Sequence, residues 1–231
     1  PDMNGYDYEY LKRTATGAAI GMAQELDLPS PKNITCVKPS GTLSKIMDTT
    51  EGIHKPLGKH IFNNVQFSKF DPVVEVLRAA NYNVVNHPTD DSGVLITFPV
   101  EWIDVPFTKV DGKEVNLDTA VEQLEKYKLI QTSWTQQNTS VTISYDPTEV
   151  PAIIDWLLDN WDCYVGVSFI YRTDPTKTAK DLGYLYLPQE VVDEQTFRNY
   201  VQQLSPVSLE NANSFDEIMG EECSTGACPI R

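Results

Sequence analysis

The sequence predicts an α/β fold, and three observations carry that prediction. First, residues 139–171 read as strand, helix, strand. TSVTISYD at 139–146 alternates and is rich in β-branched residues. Asp146-Pro147-Thr148-Glu149 then opens a helix, with an acidic cap, Pro at the first helical position and Glu three residues after the cap. VGVSFIY at 165–171 is the next strand, at the distance of a parallel crossover. Second, VGVSFIY is apolar on both of its alternating faces, as suits a strand covered on both sides. Third, helical and strand patterns alternate through the preceding residues.

Those earlier elements follow in order. Residues 6–27 predict a helix, with Leu11, Ala15, Ala18, Ala19, Met22 and Leu26 near helical spacing. Gly17 and Gly21 lower its propensity, and their spacing suggests close packing against a neighbour. LPSPKN ends it, because prolines cannot continue a helix. Residues 34–38 are a short β-prone run, Pro39 to Thr42 a tight turn, and 43–48 a short helix. Strands are expected at 62–68 and 94–99. Between them Asp71 caps a helix with Pro72 in its first position. Residues 100–116 are loop-like, with VDGKEV as a small hairpin, and 117–130 form an amphipathic helix. The helix after Asp146 carries Val150, Ile153, Ile154, Leu157, Leu158 and Trp161 on one broad face. Residues 1–204 read as one domain and 205–231, polar, acidic and without period, as a flexible tail.

Composition narrows the function classes. A chain of 231 residues with 41% apolar and 22% charged residues is an ordinary globular one. No apolar run is long enough to span a bilayer, so no membrane partner is expected. The net charge of −15 argues against nonspecific binding to a nucleic-acid backbone. A local anion site remains open, since a helix start offers backbone N–H groups in any protein. PDMNGYDYEYLKR has no secretory pattern, which points to a cytoplasmic setting, and its lack of an initiator Met suggests a piece of a longer protein. Four scattered cysteines, Cys36, Cys163, Cys223 and Cys228, do not make a disulfide scaffold.

Two stretches carry the strongest chemical signal. KPSGT at 38–42 lies between a strand and a helix. Unpaired N–H groups, Gly41, the hydroxyls of Ser40, Thr42 and Ser44, and the charges of Lys38 and Lys45 together make a phosphate cradle. A plain strand–helix turn with Thr42 as N-cap explains the same residues. The Gly-Lys-Ser/Thr ending of a P-loop is missing. The second stretch is CSTGACPIR at 223–231. Its Cys-x4-Cys pair can attack a disulfide and resolve the mixed disulfide, and small neighbours keep both sulfurs accessible. Glu221 and Glu222 oppose thiolate formation while Arg231 favours it. Two cysteines are too few for a zinc site, so no metal is expected. An inert tail is the competing reading.

Weaker signals are Glu51 with His54, an acid–base pair or simply loop residues satisfying each other, and lone His60 and His87. Cys36 reads as a small buried residue and Cys163 as a packing one. TQQN at 135–138 lines a pocket or is a solvated loop.

Taken together, VKPSGTLS at 37–44, TEGIHKPLG at 50–58, VQFSKFDPVVEVLRAANY at 65–82, NTSVTISYDPTEVP at 138–151, NWDCYVGVSFIYR at 160–172 and CSTGACPIR resemble the C-terminal part of the ribonucleotide reductases. The resemblance is closest to the monomeric, adenosylcobalamin-dependent (class II) ribonucleoside-triphosphate reductases. It implies the C-terminal half of a ten-stranded α/β barrel. It implies that Pro39, Ser40, Gly41 and Thr42 hold the substrate's phosphates. It makes Cys223 and Cys228 a tail dithiol that re-reduces an active-site disulfide and is itself reduced by thioredoxin or a similar protein. Deoxynucleotide effectors and adenosylcobalamin would act elsewhere in the parent enzyme, whose radical cysteine lies upstream of this region. No Asn-Pro-Cys-Gly-Glu-like stretch occurs here, so the fragment is expected to be inactive alone. Two local departures from the family stand out: Asn63 and Asn64 stand where basic residues are frequent, and Cys36 where a Thr-like residue is usual. The alternatives are a class I or class III reductase fragment, or a non-enzymatic phosphate-binding domain with a redox-sensing tail.

Overall fold

The structure is a computed structural model that describes residues 3–47 and 49–208, without the side chains of Thr42, Lys45 and Ile46. The chain divides into two compact units, each built from two separate stretches. Pro1–Pro56 with Leu117–Asp174 form the first, and Leu57–Asn116 with Pro175–Arg231 the second.

The first unit opens with α1, Gly5–Glu25. Asn4 caps it by accepting the N–H groups of Tyr6 and Asp7, and the Asp7 carboxylate returns to the Asn4 N–H. Helix α1 packs on α4, Ala120–Ser133. The close glycine approach is made by Gly5, where a Cβ would lie 3.3 Å from Ser133 Oγ. Gly17 and Gly21, read from the sequence as packing glycines, have nothing within 4 Å of their Cβ positions. The apolar stripe they share with Met22 and Leu26 is exposed. A short helix α2, Gly41–Ile46, follows the turn at Pro39-Ser40. It begins two residues earlier than the sequence predicts, so Thr42 lies inside the helix and not at its cap.

The predicted strand–helix–strand unit is present. Strand β6, Thr142–Tyr145, leads through a 3-10 turn at Pro147–Glu149 into α5, Val150–Asp159, and on to β7, Ser168–Tyr171. The two strands pair in parallel from Thr142↔Ser168 to Tyr145↔Tyr171. Asp146 and Glu149 form the capping box that the sequence signals, with Glu149 Oε2 2.7 Å from the Asp146 N–H. Helix α4 starts at Ala120, three residues later than its periodicity suggests, because Thr119 and Glu122 make a capping box there. The core gathers Leu124, Tyr127 and Ile130 of α4, Ile143 of β6 and Ile153 and Trp156 of α5. Covering of both faces of β7 is not found: Phe169, Ile170 and Tyr171 are 39%, 57% and 68% exposed. Among the described residues β7 pairs with β6 alone, so its second edge has no neighbour.

The second unit is a four-stranded antiparallel sheet in the order β2-β3-β1-β8, a mixed complement to the parallel pair. Strand β1, His60–Ser68, pairs along its whole length with β3, Gly93–Glu101. Helix α3, Pro72–Ala79, begins at Asp71 as predicted and turns Val74 and Leu77 onto Val94 and Ile96. Strand β2, Val84–Asn86, forms one edge. The predicted hairpin is β4, Thr108–Val110, with β5, Lys113–Val115. Asp111 and Gly112 take φ of +49° and +81°, the left-handed pair that a two-residue hairpin turn requires. Val115 joins Ile61 and Val191 in a small core. There Gly58 cannot be replaced without displacement, since a Cβ would fall 2.5 Å from Val191 Cγ1 and 2.6 Å from the Glu114 carbonyl oxygen. Strand β8, Gln189–Val191, and α6, Glu194–Val201, complete the unit. Neither was anticipated from the sequence. Ser205 donates its N–H to the Ala80 carbonyl at 3.0 Å, and the tail from residue 209 lies outside the described residues.

Candidate functional site

The turn at residues 38–42 is positioned by a polar bracket within the first unit. Loop residues 134–140 satisfy the backbone of the segment leading into it. Gln136 Oε1 accepts the Ile34 N–H at 2.7 Å, and the Gln136 N–H donates to the Thr35 carbonyl at 3.0 Å. The Val37 N–H reaches the Asn138 carbonyl and the Ser140 N–H reaches the Val37 carbonyl, making a parallel bridge at Val37 and Thr139. The β-prone run 34–38 is thus a single bridge, not a strand, because its partner is a loop. Gln131, Thr135 and Thr139 are buried beneath it; the two threonine hydroxyls are 2.8 Å apart, and Gln131 Oε1 accepts the Thr139 N–H at 2.8 Å. Within the TQQN stretch Gln137 is exposed, while the Gln136 side chain and the backbone of Gln136 and Asn138 supply partners that a neighbouring strand would otherwise give.

The turn itself is held from below. Ser40 takes a left-handed φ of +52°, and its hydroxyl oxygen accepts the Gly52 N–H at 3.2 Å. The Gly41 N–H folds back to the Pro39 carbonyl at 2.7 Å, and the Ser40 carbonyl accepts the first helical bond from Ser44 at 2.9 Å. Ser44 is buried, and its hydroxyl donates to the Gly41 carbonyl at 2.6 Å. That removes Ser44 from the set of hydroxyls that the sequence offered to a ligand. Gly41 has nothing within 4 Å of its Cβ position, so its open side faces away from the chain. Lys38 is exposed beside it.

His54 secures the loop that supports Ser40. Its Nδ1 lies 2.8 Å from the Glu51 carbonyl oxygen, and its Nε2 lies 3.0 Å from the Thr142 N–H. A carbonyl only accepts and an amide N–H only donates, so the two partners together require neutral imidazole with the proton on Nδ1. Of the two sequence readings for Glu51 and His54, the structure supports loop residues satisfying each other, through the Glu51 backbone. No local pattern marks the Thr142 contact, since 88 positions separate it from His54.

The remaining candidates are placed as follows. Cys36 is half-buried, and its carbonyl accepts the Trp134 indole N–H at 3.3 Å. Cys163 is half-buried and packs against the first unit's core. His60 is buried with Nε2 3.2 Å from Glu101, and Arg198 grips the same carboxylate with both terminal nitrogens at 2.8 and 2.6 Å. The Arg198 hydrogen bonds, then the His60 bond, hold the Glu101 carboxyl below the ordinary carboxylate range against the opposing effect of burial. His87 faces the Tyr186 hydroxyl at 3.2 Å. Cys223 and Cys228 lie outside the described residues, as does any contact between them and the turn. Among the described residues no group of three or more His, Cys, Asp or Glu side chains is placed to hold a metal ion. No helix among them is long and apolar enough to cross a membrane.

With this geometry in view, comparison with known proteins is informative. No family model matches the chain. Over 218 residues it is 28% identical to the adenosylcobalamin-dependent ribonucleoside-triphosphate reductase of Levilactobacillus brevis, covering 88% of this chain and 27% of that protein. It is 24% identical over 233 residues to the adenosylcobalamin-dependent ribonucleoside-triphosphate reductase of Lacticaseibacillus paracasei, covering 96% of this chain and 30% of that protein. In fold it is similar to a crystal structure of a B12-dependent (class II) ribonucleotide reductase, with a TM-score of 0.76 at 19% identity over 97% of this chain and 29% of that one. The chain therefore spans less than a third of the length of these relatives.

Proposed function

We propose that this chain is the C-terminal part of a class II ribonucleotide reductase, converting ribonucleoside triphosphates to 2′-deoxyribonucleotides through a thiyl radical held elsewhere in the parent protein. The observation that carries this reading is the likeness, over 88% of the chain, to a relative named for that activity. In this reading residues 1–204 are part of the reductase barrel and 205–231 its redox tail.

The turn Pro39-Ser40-Gly41-Thr42 binds the substrate's phosphates. Support comes from the rigid seating of Ser40 on Gly52 and from the open side of Gly41. The Gly41 N–H is taken by the Pro39 carbonyl, and the positive end of the helix favours an anion. Ser40 retains its hydroxyl hydrogen to donate, since its oxygen is already an acceptor.

The tail dithiol Cys223 and Cys228 re-reduces the active site. One tail thiolate attacks the active-site disulfide and forms a mixed disulfide; the other displaces the second active-site sulfur. Two electrons and two protons pass to the active site, and the tail becomes a disulfide. Thioredoxin or a similar dithiol protein then reduces it in the cytoplasm. Cys36 and Cys163 do not serve, both being half-buried and Cys163 packed on the first unit's core. Deoxynucleotide effectors act on other parts of the parent.

The relatives are named for adenosylcobalamin, and the described residues do not fit that group. Both ring nitrogens of His54 are engaged, His60 is buried against Glu101, and His87 faces Tyr186 and Thr89. In this reading most of the cobalamin site belongs to other parts of the parent protein.

The test uses the full-length parent. Cys223→Ser or Cys228→Ser should leave one round of deoxynucleotide formation intact and abolish thioredoxin-driven multiple turnover. Undiminished multiple turnover in both variants removes the tail role. The 231-residue chain with adenosylcobalamin should form no deoxynucleotide at all.

A further inference from the structure

The four-stranded sheet of the second unit is covered unequally. Val94 and Ile96 meet α3 on one face. The pleat turns the alternate residues to the other face. There the register sets Asn64 of β1 beside Thr97 of β3, and Phe62 beside Glu190 of β8. Helix α6 is eight residues long and covers only part of this face. Its Tyr200 ring meets Phe62 edge-on at 4.9 Å, and the Tyr200 hydroxyl donates to the Thr97 carbonyl at 2.8 Å. A pocket of about 430 Å³ is left, walled by Tyr186 and Gln203 and open past Asn83 and Val85. That volume lies within the range of small-molecule sites.

The polar groups of this pocket are unequally satisfied. Asn64 donates to the Leu187 carbonyl and accepts from the Thr97 hydroxyl, both at 2.8 Å. The Asn83 amide nitrogen donates to Thr97 Oγ1 at 3.3 Å, and the Gln203 amide nitrogen donates to the Asn199 carbonyl at 3.1 Å. Each of the three amide groups keeps one N–H hydrogen, and the side-chain carbonyls of Asn83 and Gln203 and the Glu190 carboxylate have no partner among the described residues, so the one charged group of the lining is the unpaired Glu190. The lining also includes Phe62, Tyr186 and Tyr200. A singly negative pocket with an unpaired carboxylate and three aromatic residues in its lining favours a cation that carries N–H donors.

We propose that this pocket is a binding site for a small organic cation, an alkylamine or alkylguanidine, with its charged head on Glu190 and its chain against the aromatic walls. Anions and carboxylates are disfavoured by the same groups. The pocket's lining residues all lie in the second unit.

The probe is agmatine, which carries an ammonium at one end and a guanidinium at the other. Titration of the full 231-residue chain at 0.15 M salt, followed by calorimetry, should show saturable one-to-one binding. Glu190→Gln should weaken it at least tenfold. Glu75→Gln, at an exposed carboxylate on α3, should leave it unchanged and so control for the chain's overall negative charge. Val85→Trp fills the open rim from an exposed position and should abolish binding while leaving the thermal midpoint in place. Should Glu190→Gln fail to fold, the Val85 variant decides alone. No saturation with agmatine, equal losses in the Glu190 and Glu75 variants, or undiminished binding to Val85→Trp overturns the proposal.

Discussion

The Ser40 hydroxyl oxygen accepts the Gly52 backbone N–H at 3.2 Å, and both residues sit in the left-handed region, at φ of +52° and +55°. A left-handed serine is uncommon and costs on the order of 1–2 kcal/mol. The bracket from residues 134–140 and the seat on Gly52 over-determine the conformation, which is how a strained residue persists.

Gly41→Ala separates a ligand's need for glycine from the chain's own need. No atom lies within 4 Å of the added Cβ, and Gly41 is absent from the positive-φ residues. Alanine is also the better helix former, so stability should hold or rise by about 0.5 kcal/mol. In the full-length parent the methyl group would stand where a phosphate approaches the backbone, and KM for the ribonucleoside triphosphate should rise at least tenfold. Thermal melts and steady-state kinetics read the two effects. An unchanged KM would remove Gly41 from the phosphate site.

Gly52→Ala should behave in the opposite way. Its φ is left-handed and a Cβ would touch the Lys38 carbonyl at 3.4 Å, so the chain itself needs glycine there. The expected loss is about 1 kcal/mol, from denaturant unfolding. A neutral result would mean that the 51–54 loop does not brace Ser40.

Much of this arrangement can be read from residue order, and the limits have physical causes. Asp71-Pro72, Asp111-Gly112 and the Asp146–Glu149 box each determine their own few residues, so α3, the hairpin and the entry to α5 appear where the sequence puts them. The KPSGT turn was legible for the same reason, as a local break between an extended segment and a helix. What brings it into shape was not: Gln136 reaches back 102 positions to Ile34, and His54 reaches 88 positions to Thr142. Strand β8 has three residues and no alternation, and it is ordered by pairing with β1 more than 120 positions away. Gly17 and Gly21 mislead because spacing reports a surface fit for packing, not whether this chain supplies the partner.

The His54 ring gives a spectroscopic prediction. Its two partners admit only the Nδ1-protonated neutral form. Long-range nitrogen–proton correlation spectra at neutral pH should show that tautomer. Observation of the Nε2-protonated form would contradict the Thr142 contact. His54→Leu, which leaves the exposed Thr142 N–H to water, should lower stability by about 0.5–1.5 kcal/mol.

Acid sensitivity in the second unit should centre on Glu101. The Arg198 hydrogen bonds come first, with His60 adding a second, and the carboxyl is held below its ordinary value. A folded-state value depressed below the unfolded one, about 4.3 for glutamate, contributes stability that is present above that pH. It is lost as the pH falls through the folded value, where the carboxylate is protonated in both states. Arg198→Gln removes the charged partner and lets the folded value climb back toward the unfolded one, so this contribution shrinks over the whole range above it. Thermal midpoints measured from pH 3 to 7 should therefore drop for the variant at neutral pH and converge with the parent chain at the acid end. A constant gap at every pH would assign the effect of Arg198 to its packing on Phe197, 5.6 Å from the ring centre, and not to the charge on Glu101.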